Sequence, residues 1–96
     1  MGKVKVKFFS HLRYVVGIKE TEMEIGDEET LLKLIERLEK KFGADFKERI
    51  KDKETGLFSP FLIMVGKDEI SSVHGDLNHK ITNGDVVSLL DPVGGG

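Results

Sequence analysis

Leu31, Leu34, Ile35, Leu38 and Phe42 recur at i, i+3, i+4, i+7 and i+11, which puts five apolar side chains on one stripe of an amphipathic helix. Asp27 or Thr30 stands where a cap is needed, and Glu28 and Glu29 suit the positive end of the helix. Lys40 and Lys41 suit the negative end, and Gly43 supplies the stop. One helix cannot bury its stripe on itself. The rest of the chain must cover it, and the rest of the chain has a different period.

Lys3 to Phe9 alternates, with Lys3, Lys5 and Lys7 in one phase and Val4, Val6 and Phe8 in the other, the pattern of a half-buried strand. Ser10 to Gly17 reads as a loop, and Lys19 to Ile25 alternates again as a second strand. After the helix, Asp45 to Lys51 reads as a short second helix, with Asp45 and Glu48 spaced like a capping pair and Phe46 and Ile50 one turn apart. Lys51 to Gly56 is a charged connection. Phe61 to Val65 is a continuous apolar run, expected near the middle of a sheet and buried on much of both faces. Gly66-Lys67-Asp68 turns the chain, and Ile70 to Ile81 reads as irregular. Asn83-Gly84-Asp85 is a tight turn into a last strand, Val86 to Leu90, which Pro92 ends. The order is a two-layer α+β plan: one domain over residues 1–92 and a Gly-rich tail over residues 93–96.

Several chemistries find no support in these residues. The chain has no cysteine, so disulfides, thiolate metal sites and a cysteine nucleophile drop out. His74 and His79 lie five apart in the irregular segment and His11 is far away, which is not a metal-ligand spacing; all three read as loop histidines facing water, and no metal site is expected. No Gly-rich turn opens into a helix after a strand, so there is no phosphate-binding loop and no bound cofactor is expected. A formal charge of −2 gives no pull towards nucleic acid or anionic lipid, and the Lys3, Lys5, Lys7 stripe lacks interleaved aromatics. The lysines read as a solvated strand face. No apolar run is long enough to span a bilayer, and the Lys/Val alternation at the start is not a secretory signal, so a cytoplasmic location is expected, with no nucleic-acid or membrane partner.

Three places are left unexplained by folding. Phe9 falls in the solvent phase of its strand, and Leu90 falls beside Ser88 on the face opposite Val87 and Leu89. Two outward apolar residues on neighbouring strands would form a patch for a partner, unless the chain's own loops cover them. The third is Gly94-Gly95-Gly96, which has no side chains to pack and costs entropy to order. It offers a slim backbone that can enter an enclosed site and place a carboxylate there. That carboxylate is ionised at neutral pH and a poor electrophile until it is activated.

Four stretches, taken together, resemble the MoaD/ThiS-like family of ubiquitin-like sulfur carriers, which includes the small subunit of molybdopterin synthase and the archaeal small modifiers. They are Val6-Lys7-Phe8-Phe9-Ser10-His11-Leu12-Arg13, Thr30-Leu31-Leu32-Lys33-Leu34-Ile35, Ile81-Thr82-Asn83-Gly84-Asp85-Val86-Val87 and Asp91-Pro92-Val93-Gly94-Gly95-Gly96. The resemblance implies a β-grasp fold in which Gly96 is adenylated by an E1-like, MoeB-like adenylyltransferase that consumes ATP, and is then converted to a thiocarboxylate. It implies that Gly94 and Gly95 thread the pocket of a MoaE-like large subunit, which holds the catalytic groups, so that this chain is a non-catalytic sulfur-donating subunit. It also sets Phe9 and Leu90 where the family contacts its partners. Attachment of Gly96 to lysines of target proteins is the other role the resemblance implies. A passive interaction domain using the Phe9/Leu90 face is a third reading, of another class. Two departures stand out: Val65-Gly66-Lys67 where an Asn-Gly turn is usual, and Asp91 where a proline is common.

Overall fold

The computed structural model describes residues 2–91. Alternation produces β1 (Gly2–Phe9), whose even-numbered side chains Val4, Val6 and Phe8 are buried as their phase requires. At Phe9 the chain turns at once into α1 (Ser10–Val16), in the segment expected to be a loop. The physical reason is a short apolar set at i, i+3 and i+4: Leu12 is fully buried, and Val15 and Val16 pack against the same core. Ser10 takes a φ of 55°, which lets a strand reverse into a helix without a linker. Gly17, at φ 80°, closes the helix by donating its N–H to the Arg13 carbonyl.

β2 (Glu20–Ile25) pairs antiparallel with β1, and α2 (Leu31–Phe42) follows. Thr30 is its cap, accepting from the Lys33 N–H at 3.3 Å, while its stripe of Leu31, Leu34, Ile35 and Leu38 is fully buried. Glu28 and Glu29 do not serve the helix's positive end as expected. Glu28 pairs with Lys80, and Glu29 accepts from the Gly26 N–H at 3.2 Å and from Arg37 at 3.3 Å. Gly43, at φ 86°, is a one-residue corner into α3 (Ala44–Ile50). Phe46 and Ile50 are buried there, but no side chain caps α3, so the expected Asp45/Glu48 pair does not form a cap.

β3 (Leu62–Val65) and β4 (Asp68–Ser71) are a hairpin turning at Gly66-Lys67; β4 takes up Ile70 and Ser71, which the sequence placed in irregular chain. β5 (Val86–Leu90) completes a sheet of order β2-β1-β5-β3-β4, parallel between β1 and β5 and antiparallel elsewhere. This is the β-grasp, ubiquitin-like architecture. Strands 1 and 5, the first and last, are central neighbours. All core side chains of the sheet point one way, towards α2 and α3, where Phe8 meets Phe42 and Phe46 edge-on at 5.4 and 6.2 Å. β3 is therefore buried on one face only, with Leu62 and Met64 half-exposed on the other, which corrects the two-sided burial expected from its apolar run.

Candidate functional site

The β1–β5 register decides what the open face of the sheet looks like. Lys3, Lys5 and Lys7 stand opposite Glu24, Glu22 and Glu20 of β2, and Lys5 Nζ reaches Glu20 at 3.3 Å. The lysine stripe is thus matched charge for charge across the strand pair, a solvated face as expected. At its C-terminal end β1 leaves this ladder. Phe9 is the partner of Leu90 on β5, and Leu90 is the partner of Leu62 on β3. Three apolar side chains from three adjacent strands therefore form one row, each half-exposed, with Met64 on the same face of β3.

The described residues cover the row only in part. The Arg13 guanidinium of α1 lies 5.7 Å over the Phe9 ring and donates from Nε to the Phe8 carbonyl at 3.2 Å. On the other side, Pro60, Leu62, Leu90 and Asp91 line a shallow hollow. The outward phase expected for Phe9 and Leu90 is what the structure has, and it adds Leu62, hidden in sequence inside a run that reads as core. Gly94, Gly95 and Gly96, with Pro92 and Val93, lie outside the described residues.

Asp91 stands next to this row and is one of the few buried charged residues. Its Oδ1 accepts from the backbone N–H groups of His11 and Leu12 at 3.0 and 3.4 Å, and its Oδ2 accepts from Arg49 Nε at 2.8 Å. Arg49 Nη2 lies 2.6 Å from His11 Nδ1. His11 faces water as expected, but it lies in α1 rather than in a loop and is in contact with Arg49. Its contact with Arg49 joins sequence positions 38 residues apart, which no local pattern reveals. The one signal in the sequence was the Asp91 departure from proline. Among the described residues no cluster of histidines and carboxylates could hold a metal ion, and no helix is long and apolar enough to cross a membrane.

The ThiS family model matches residues 6–96. No curated protein matches the chain. Among solved structures, it is similar to a putative molybdopterin converting factor, subunit 1, from Pyrococcus furiosus, at 29% identity and a TM-score of 0.74, over 97% of this chain and 100% of that one. It is also similar to small archaeal modifier protein 1 from Methanosarcina acetivorans, at 26% identity and TM-score 0.79, over 100% and 98% of the two chains. SAMP1 from Haloferax volcanii superposes with a TM-score of 0.81 at 19% identity, over 99% and 100%, a likeness of fold.

Proposed function

Because the chain belongs to the ThiS family, we propose that it is a sulfur carrier, the small non-catalytic subunit of a molybdopterin (or tungstopterin) synthase. The observation that carries this reading is the span of the family match, which runs through Gly96. The likeness to the Pyrococcus molybdopterin converting factor subunit supports it.

In this reading the Gly96 carboxylate attacks the α-phosphate of ATP in the site of an E1-like enzyme, releasing pyrophosphate. Hydrosulfide from a sulfur donor then attacks the acyl adenylate carbonyl, AMP departs with the electron pair of the carbonyl–oxygen bond, and a thiocarboxylate remains. Gly94 and Gly95 carry that end into the pocket of a MoaE-like partner, where the partner's groups do the catalysis. The domain's part is to dock, and the Phe9–Leu90–Leu62 row is the surface it offers. No cofactor is bound by this chain; ATP is the activating enzyme's substrate. The location is cytoplasmic, with neither nucleic acid nor membrane as partner.

Intact-mass measurement after incubation with the cognate E1-like enzyme, ATP and a sulfur donor should show oxygen replaced by sulfur at Gly96. Deleting Gly95-Gly96 should abolish the change and leave the melting temperature in place. An unmodified mass, with enzyme and donor shown to be active, would overturn the reading. The resemblance to the Methanosarcina modifier protein favours a second role, attachment to protein lysines. That role predicts a ladder of heavier species in cell extracts that survives denaturant and reductant, with remnants of this tail on lysine side chains.

A further inference from the structure

Asp91 is the last residue before the tail, and its side chain is only 4% exposed. Burying a carboxylate costs free energy unless its lone pairs are taken up, and here they are taken up from two other elements. The His11 and Leu12 amides of α1 donate to Oδ1, and Arg49 of α3 donates to Oδ2. β5 needs no such device to stay in the sheet, since Leu89 is fully buried and Leu90 is paired on both sides. What the three contacts do is pin the residue that follows β5 to two helices at once.

From this geometry we infer that Asp91, held by Arg49, is a positioning residue for the chemistry of the tail. It fixes, beside the Phe9–Leu90–Leu62 row, the residue to which the segment carrying Gly96 is joined. The inference rests on the reading that Gly96 is the reacting end. Five residues lead from Asp91 to Gly96, so Gly96 lies at most about 18 Å from the anchor. A docked partner with its own active site at a set distance needs that origin to be constant. Each residue freed at the root is one more to be ordered whenever the tail enters the partner.

The test is ATP–pyrophosphate exchange by the cognate E1-like enzyme, with wild type and Asp91→Ala as substrates, well below both melting temperatures. We expect kcat/KM to fall about tenfold, the order set by fixing one further residue of backbone. The same pair lacking Gly94-Gly95-Gly96 should bind the enzyme with affinities within about twofold of each other, because the docking row is untouched. Arg49→Gln should lower kcat/KM in the same direction, and it carries the test if Asp91→Ala fails to fold. Unchanged kcat/KM in the folded variant overturns the inference and leaves the carrier reading standing. So does an equal loss of affinity in the tail-less pair, which would make Asp91 a support of the docking face. Absence of exchange with wild type overturns the carrier reading, and the inference with it.

Discussion

Phe8 and Phe9 are neighbours in one strand, yet the two faces they belong to answer to different demands. On the inner face, Val4, Val6 and Phe8 of β1, Val87 and Leu89 of β5 and Ile63 of β3 are all at most 2% exposed beneath the helices. Folding alone accounts for every one of them, since each removes apolar surface from water. The outer face divides in two. Its β2–β1 half is a Lys/Glu ladder, and its β1–β5–β3 corner is the row Phe9, Leu90 and Leu62, half-exposed, with the Arg13 guanidinium over the Phe9 ring. A solvated face gains nothing from apolar residues, and the ladder shows that this sheet can place charge there. The apolar corner is therefore not explained by the fold alone; under the proposed function it is the docking surface, next to Asp91.

The largest expected effect breaks this comparison on the inner side. Phe8→Ala removes a fully buried ring that makes edge contacts with Phe42 and Phe46, and should cost about 3–5 kcal/mol in denaturant unfolding through the cavity it leaves. Next comes Phe9→Lys, which should weaken binding to the large subunit or the E1-like partner by about 2 kcal/mol or more, a typical hot-spot loss. Its melting temperature should scarcely move, because a half-exposed ring contributes little to the core. If Phe9→Lys unfolds the domain while the folded fraction still binds its partner normally, the outer row is structural and the division of faces fails.

Much of this was legible in the amino-acid pattern, and the gaps have physical causes. Period two fixed the phase of β1 and β5, so Phe8 was placed inward and Phe9 and Leu90 outward without coordinates. Period 3.6 placed the α2 stripe residue for residue. α1 escaped because seven residues hold too few turns for a period to stand out against a loop. Leu62 escaped because an unbroken apolar run does not say which of its faces is covered; that depends on all helices lying on one side of the sheet. The Asp91–Arg49–His11 anchor is non-local, joining three elements, and spacing along the chain carries no trace of it. A buried carboxylate is found by its donors, and donors are a property of the fold.

The smallest expected effect tests the other half of the outer face. Lys5 lies opposite Glu22 in the β1–β2 register and pairs with Glu20, with both members of the pair close to half-exposed. Such a pair gains little in water, because the Coulomb attraction is screened and two long side chains must be held in place. Lys5→Glu would set three carboxylates side by side, and like charges directly across a strand pair are destabilising by an amount similar to what opposite charges gain. The expected cost is about 0.5–1 kcal/mol at low salt, read as a small drop in denaturant midpoint with an unchanged slope. At molar salt the Debye length shrinks to about 3 Å, and most of the difference should vanish. Partner affinity should follow neither change if docking belongs to the apolar corner alone. A Lys5→Glu variant that loses partner binding as strongly as Phe9→Lys would show that the whole outer face is one interface, with the ladder steering what the apolar row holds.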